Sequence, residues 1–419
     1  MSDTKAIRLT EPSFMSGIPS PYYSDEHRRF QKRLRDYLEK EVVPNVDEWA
    51  ESKRYPYHVH KEFYNLGAQQ AVFRFHPKFV GADVSRYDSF HELIVWSELS
   101  RASLNSVNFM MGIDSMGVPP IVSHGSEKLK HAILPEVVRG NMHVALAISE
   151  STAGSDVANI STSAVKSEDG RHYIINGTKK WVSGANVCSY LTTVVRTREG
   201  NGAKGISVIA VPKDTPGISV RPMKMQFDSV MWTGFVVFEN AMVPVENLLG
   251  EENEGFKIIM ENFNHERFVI AVSATASARR CFELALKHAL KRRTFGKLMI
   301  DHQAIRMKLA EMARTVEAMQ CQIEHVAYVL DHSHDGRVSP KAVGEICALT
   351  KVNCTRGFEV CAREASQVFG GSALVREGIG KEVESFYRAV RAHAIPGGSE
   401  EILLDLAIRS VVKLKSSSL

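Results

Sequence analysis

The sequence predicts a mostly helical α+β protein in three segments: an N-terminal helical segment over 24–142, a small β domain over 143–252 and a C-terminal helical bundle over 253–412. Three observations predict it. Apolar residues recur at helical spacing before residue 143, short β-rich runs between turn residues follow, and from about 253 a sustained helical seam returns. Residues 1–23 read as an extension and 413–419 as a tail.

In the first segment, Ser24-Asp25-Glu26 opens a helix on which Phe30, Leu34, Leu38 and Val42 share one stripe, and Pro44 closes it. Beyond Pro56 and Pro77, the apolar run from Phe90 to Trp96 starts another helix. Gly117-Val118-Pro119-Pro120 and Gly125-Ser126-Glu127 punctuate the rest. In the second segment, strands are expected at His143–Ser149, His172–Ile175, Leu191–Arg196, Gly205–Val211 and Phe235–Phe238, each bounded by Gly, Asn, Asp or Pro. In the third, Ile305, Leu309, Met312, Val316, Met319, Ile323, Val326 and Leu330 alternate spacings of four and three, a seam that wants antiparallel partners. Ser339-Pro340 supplies an N-cap and N1 pair for a helix expected to stop at Gly370-Gly371, and Ser399 with Glu400 and Glu401 opens the last helix.

Composition excludes several classes. Hydrophobic residues are 44% and charged residues 24% of 419, values of an ordinary globular chain and not of a disordered, collagenous or disulfide-stapled one. Lys plus Arg is 52 against 48 Asp plus Glu, a net +4 without a basic run, so nucleic-acid binding gains no support. The most apolar stretches, such as Ile402 to Ile408, are far below the roughly 18 residues of a membrane span.

The cysteines at 188, 281, 321, 347, 354 and 361 form no C-x-x-C pair and read as reduced thiols. Cys347, Cys354 and Cys361 repeat along one helical face about 10 Å apart, too far for a shared metal. No metal site is expected from His58, His60, His332 and His334 either, since the two pairs lie far apart in the chain. The N-terminus has no signal- or transit-peptide pattern, which predicts an intracellular, cytoplasmic protein. The final Ser-Ser-Leu is a weak relative of the peroxisomal address.

Four motifs carry candidate chemistry. In Ala147-Ile148-Ser149-Glu150-Ser151-Thr152-Ala153-Gly154-Ser155-Asp156 a strand runs into a turn of small and hydroxyl residues, able to offer N–H and O–H groups to a polar ring edge or a pyrophosphate. In Asn176-Gly177-Thr178-Lys179-Lys180-Trp181-Val182-Ser183, Asn-Gly predicts a hairpin, and the next strand presents Trp181 and Ser183 on one face. Arg292-Arg293-Thr294-Phe295-Gly296-Lys297 with Gln303, and Gln367-Val368-Phe369-Gly370-Gly371, read singly as a solvated basic helix end and a plain C-cap.

Together, in this order, the four blocks resemble those of an acyl-CoA dehydrogenase over roughly 24–412. The resemblance implies a β-barrel or sandwich between the helical domains, a C-terminal four-helix bundle, FAD as cofactor, and a homodimer or homotetramer. Ile148, Ser149, Gly154 and Ser155 then correspond to the turn at the flavin ring, with Trp181 and Ser183 against the isoalloxazine. Arg292, Thr294, Phe295, Gln303, Gln367, Gly370 and Gly371 correspond to the pyrophosphate and adenosine side, which Ser399 and Glu401 join. Ser155, Phe263 and Arg267 fall on the substrate side, and Met110, Met111 and Met116 are either a pocket wall or core. Asn159 and Gly184-Ala185 depart from the family pattern.

The implied reaction is α-proton removal from an acyl thioester with hydride transfer from the β-carbon to flavin N5, which needs a buried carboxylate base and donors on the thioester oxygen. Many members carry the base as Glu in an Ile-Tyr-Glu-Gly-Thr run. Here that run is Ile395-Pro396-Gly397-Gly398-Ser399, so Gly397 can contribute only its backbone N–H. A subset including isovaleryl-CoA and long-chain acyl-CoA dehydrogenases carries the base in a Glu-Arg pair on the first bundle helix. Glu266-Arg267 matches that pair, and Glu266 is the expected base, ahead of Glu400, Glu401, His265 and His393. The expected acceptor is an electron-transfer flavoprotein. An oxygen-using acyl-CoA oxidase and a flavin-bearing binding protein remain the alternatives.

Overall fold

The computed structural model describes residues 8–52, 56–74, 78, 84–102, 107–200, 202–227, 232–333 and 337–412. His334, the tail at 413–419 and the side chain of Met110 lie outside the described set. Its residues group into two units by contact, one of 1–40, 88–104 and 267–419, the other of 41–87 and 105–266.

The first unit is helical. Helix α1 (Asp25–Tyr37) starts where the Ser24 N–H donates to His27 Nδ1 at 3.0 Å, and a π turn, Leu38–Val42, continues it. That wider turn offsets the drift of a four-residue repeat around a 3.6-residue helix, and Phe30, Leu34, Leu38 and Val42 are all buried. After α2 (Val46–Ser52), α3 (Tyr57–Leu66) and α4 (Ala68–Val72) of the other unit, helix α5 (Ser89–Ala102) returns to pack on α1. Gln31 and Arg35 of α1 donate to the buried Glu98 carboxylate of α5, both at 2.7 Å.

Three more helices complete this unit's core: α10 (Gln303–Asp331), α11 (Pro340–Phe369) and α12 (Lys381–Ala394), with α13 (Glu400–Val412) against α11. The predicted seam is buried from Leu309 to Val326. Ser339 caps α11 by accepting the Ala342 N–H at 3.2 Å, and the helix ends at Gly370 with φ 60°, as its sequence predicts. Asp331 of α10 caps α5 by accepting from the Ser89 N–H at 2.9 Å and its hydroxyl at 2.6 Å.

The second unit carries helices α6 (Val107–Gly117), α7 (Pro119–His124) and α8 (Glu127–Val138) and the main sheet. Its strands are β1 (Val144–Ala147), β2 (Ser163–Lys166), β3 (His172–Ser183), β4 (Tyr190–Arg196), β5 (Ile206–Pro212), β6 (Ile218–Pro222), β7 (Thr233–Pro244) and β8 (Leu248–Leu249). The order is β6-β7-β3-β2-β4-β5-β8, with β1 added parallel to β4. Tyr173, Ile175, Leu191, Val195, Ile209 and Val236 anchor the core of this sheet.

One expectation fails here. Asn176-Gly177 does not turn a hairpin: β3 runs straight through it and pairs with β7, with a bulge between Ile175 and Gly177. The Asn176 amide donates to Asn240 Oδ1 at 3.1 Å and its oxygen accepts the Asn240 N–H at 2.8 Å, so the dipeptide is spent on a cross-strand clamp. Gly177 is required because a Cβ there would sit 2.7 Å from Thr162 Cα. β2 and β6 carry too little apolar alternation to stand out in the sequence.

Helix α9 (Gly255–Ala289) is continuous, and the boundary between the units falls on it between Glu266 and Arg267. Among the described residues no helix is long and apolar enough to cross a membrane.

Candidate active site

In the sheet unit, β1 delivers the chain into the turn at 148–155. Glu150 and Ala153 close it by exchanging backbone bonds, N–H to O, of 3.0 and 3.3 Å. The Glu150 carboxylate is buried under the turn and accepts from the Ser161 N–H (2.7 Å), the Thr162 N–H (2.9 Å) and Lys179 Nζ (2.8 Å). Lys179, fully buried on β3, also donates to the Ile148 carbonyl at 2.8 Å, and the Lys180 N–H donates to the Ser149 carbonyl at 2.8 Å. Burial pushes the Glu150 carboxyl up, but the Lys179 ammonium and the Ser161 and Thr162 donors outweigh it and bring it down to about 2. Burial also pushes the Lys179 amine down to about 8 against the pull of Glu150. Both groups are charged at neutral pH, and the turn is pinned from below.

Above the pin, Gly154 and Ser155 are exposed and Ser149 is half-buried, and a Cβ added at Gly154 would meet nothing within 4 Å. Trp181 lies at a second irregularity of β3, between Lys179 and Val182, with φ 61° and 45% exposure. A bulky residue held left-handed with its ring open to solvent is a strained feature of the kind that gathers at ligand sites. Val182 points inward, so Trp181 and Ser183 take the outer side. Gly184, a departure from the family pattern, has φ 76°, a conformation that both glycine and asparagine tolerate. Its missing Cβ would lie 2.8 Å from Ile113 of α6.

On the same unit's part of α9, Glu266 is 4% exposed, and Asn262 donates to its Oε1 at 2.8 Å. Phe263 is half-buried beside them.

In the helical unit, Arg267 is 7% exposed and its Nε donates to the Gly397 carbonyl at 3.0 Å. Lys351, buried on α11, reaches the same loop by donating to the carbonyls of Ala394 and, at 2.9 Å, Gly398. Burial pushes the Lys351 amine down to about 8, with Glu400 opposing. Gly397 and Gly398 have φ 69° and 108°, and a Cβ at 397 would stand 3.0 Å from Ile270 Cδ1. Glycine is therefore built into this loop. His393 beside it is buried, which lowers its imidazole to about 4, and its Nδ1 pairs with the Ala389 carbonyl at 3.3 Å, so it is a neutral core residue.

At the far end of α9 the Arg-Thr-Phe-Gly-Lys block is a miniature hairpin of β9 (Arg293–Thr294) and β10 (Lys297–Leu298), not the solvated basic helix end that the motif by itself predicts. Phe295 and Gly296 turn it with φ 50° and 78°, the positive pair a two-residue turn demands, and Phe295 is 95% exposed. His288 stacks on Phe369 at 4.2 Å, so this hairpin and Gly370-Gly371 share one end of the unit. Arg292, Gln303, Gln367, Gly370, Gly371 and Glu401 are exposed, whereas Thr294 and Ser399 are half-buried. The expected site residues thus divide, with 148–266 in the sheet unit and 267–401 in the helical unit.

Sequence reasoning missed Asn262, Lys351 and the Glu150–Lys179 pin. Asn262 stands four residues before Glu266, a pairing that helical spacing makes available. It also missed two His-Asp groups whose ligand atoms lie within 4.8 Å: His27 with Asp88 and His91, and His60 with Asp114 and His143. The second is a polar hub. Asp114 accepts from the Val144 N–H and from His143 Nδ1, both at 2.8 Å, and Gln69 lies 2.6 Å from His60. His58 and His332 belong to neither group.

Residues 24–141, 145–241 and 253–412 match the family models described as the N-terminal, middle and C-terminal domains of acyl-CoA dehydrogenase. The chain is 37% identical over 429 residues to an acyl-CoA dehydrogenase, apdG, of Emericella nidulans, covering 99% of this chain and 97% of that one. It is 36% identical over 414 residues to the acyl-CoA dehydrogenase AFT10-1 of Alternaria alternata, covering 96% and 95%. A crystal structure of a putative acyl-CoA dehydrogenase from Mycobacterium smegmatis superposes with a TM-score of 0.85 at 31% identity, covering 94% of this chain and all of that one. The chain belongs to the acyl-CoA dehydrogenase family and is an acyl-CoA dehydrogenase, a flavoprotein oxidoreductase.

Proposed function

We propose that this enzyme binds FAD and an acyl-CoA, that Glu266 removes the substrate α-proton, and that the Gly397 N–H donates to the thioester oxygen. The observation that carries the assignment of the base is the contrast between the two positions. Glu266 is a carboxylate at 4% exposure with a donor on it, whereas position 397 is a left-handed glycine backed by Ile270. Burial keeps a carboxylate basic enough to take a proton from carbon, and a left-handed glycine in a clamped loop leaves its N–H in a fixed direction. With Glu266 as base, the enzyme would belong to the subset that carries its base on the first helix of the C-terminal region.

The residues present fit a flavin. Ser149, Gly154 and Ser155 form a pinned turn with open space above Gly154, and Trp181 offers an unburied ring. Ile148 and Ser183 complete the ring side, and Arg292, Thr294, Phe295, Gln303, Gln367, Gly370, Gly371, Ser399 and Glu401 would hold the phosphate and adenosine side. FAD, when bound, accepts the β-hydride. Ser155, Phe263 and Arg267 would face the substrate.

Phe295, Leu374 and Ile379 are strongly exposed apolar side chains. They support assembly with further copies, as a dimer or a dimer of dimers. An electron-transfer flavoprotein is the proposed acceptor, and residues 24–142, 143–252 and 253–412 are the proposed domains.

The test is anaerobic mixing of the holoenzyme with a panel of acyl-CoAs while flavin absorbance is followed. Glu266→Gln is expected to slow bleaching by about 10²- to 10⁴-fold. Bleaching at the wild-type rate would overturn the base assignment, and rapid oxygen consumption without another acceptor would favour an oxidase.

A further inference from the structure

We infer that Asn262 is a positioning residue for the base: it aims the Glu266 carboxylate and ties it to the C-terminal end of α6. The inference rests on the proposal that Glu266 removes the proton.

The Asn262 amide can face only one way. Asn262 Nδ2 lies 2.9 Å from the Met116 backbone carbonyl and 2.8 Å from Glu266 Oε1. A backbone carbonyl only accepts, so the nitrogen, not the oxygen, must point at it. The same nitrogen then spends its second hydrogen on Glu266. Reversing the amide would put an oxygen against the Met116 carbonyl and lose both bonds, so the orientation is fixed by chemistry.

The consequence for Glu266 is electrostatic and geometric. A carboxylate in a dry pocket is driven toward its neutral form, which cannot act as a base, and a donor on its oxygen favours the ionised form. Asn262 supplies that donor from one turn earlier on the same helix. An exposed pair of this spacing would swing freely. Here Asn262 is 6% exposed and its other hydrogen is fixed to Met116 on a second element, so the donor stays in one direction.

The arrangement also has a cost. Asn262 Oδ1 is buried and has no hydrogen-bond partner among the described residues. An orphaned buried amide oxygen lowers stability. A locally unfavourable group beside a reactive carboxylate is the pattern expected where stability is given up for function.

The test compares Asn262→Ala and the nearly isosteric Asn262→Asp in the flavin-loaded enzyme. It measures the rate of flavin reduction at saturating acyl-CoA, the acyl-CoA dissociation constant, and the isotope effect with α-deuterated acyl-CoA. Both variants are expected to reduce flavin about ten- to a hundredfold more slowly, with the dissociation constant little changed and a larger α-deuterium effect. Asp keeps the shape but removes the donor. Normal reduction in Asn262→Asp therefore means that Asn262 only packs, and the inference fails. It also fails if either variant loses rate only in proportion to lost flavin or weakened acyl-CoA binding. Should Asn262→Ala not fold, Asn262→Asp alone decides. Glu266→Gln run alongside separates the two claims, because wild-type reduction there removes the base assignment itself, whatever the Asn262 variants do.

Discussion

The turn at 148–155 and the loop at 394–399 are held in the same way and balanced differently. Each hangs from a buried lysine that donates to backbone carbonyls: Lys179 to Ile148, and Lys351 to Ala394 and Gly398. Under the turn, the lysine charge is met by a buried carboxylate, Glu150, itself fed by Ser161 and Thr162. At the loop, both hydrogen bonds from Lys351 go to backbone carbonyls, and Arg267 Nε donates to a third. The difference teaches where chemistry has room. A carboxylate that is fully bonded to a lysine and two N–H groups is structural, and a loop clamped by cations with glycines at its bend has no acid to react. The proposed base, Glu266, lies at a third place, on α9.

Four changes separate the turn from the loop. The largest effect is expected from Lys179→Met, which strands the Glu150 carboxylate in the core. Thermal or denaturant unfolding should register a loss of about 3–5 kcal/mol, together with lower flavin content on purification. A loss under 1 kcal/mol would mean that the pair is not buried in solution.

Acid separates the two sites next. The Glu150 carboxyl sits at about 2, below its ordinary 4.5, so its contribution is fully present above about 4.5 and drains away as pH falls toward about 2. Arg267 and Lys351 keep their charges across that window. Hydrogen exchange is therefore expected to rise at 148–155 before it rises at 394–399.

Lys351→Met comes third, at about 1.5–3 kcal/mol, because two charge-assisted bonds are lost but the cost of burying an ammonium goes with them. The alkaline behaviour of Lys351 is shared with Lys179, whose amine is likewise pushed down to about 8. An amine lowered to about 8 from 10.5 binds fewer protons when folded, so wild-type stability from this group should rise between about pH 8 and 10.5, and Lys351→Met should abolish that rise. Gly397→Ala is smallest, about 1–2 kcal/mol for a left-handed alanine, with a further penalty if Ile270 cannot move aside.

Much of this was legible in the sequence where the signal is local. The seam from Leu309 to Val326, the Ser339-Pro340 start and the glycine stop at 370 each rest on a few neighbouring residues, and each stands as predicted. What failed depends on partners far away in the chain. Asn176-Gly177 carries a hairpin signature, but Asn240, sixty-four positions on, turns it into a bulge. Phe295-Gly296 makes a tight turn although phenylalanine is a poor residue for it, which the sequence cannot announce. The grouping of α1 with α5 and α10 rests on Glu98 and Asp331, polar contacts that leave no periodic trace. At the proposed site, Glu266 and Gly397 stand out in the sequence by residue type, whereas Asn262 and Lys351 acquire meaning only from the carbonyls they touch.

The central claim, that the proton leaves to Glu266 on α9 and not to any group of the 394–399 loop, is tested most directly by exchange of the acyl-CoA α-hydrogen with solvent deuterium, read by mass spectrometry. Wild type and Gly397→Ala are expected to exchange, and Glu266→Gln to fall by about 10²-fold or more. Exchange by Glu266→Gln at the wild-type rate would contradict it.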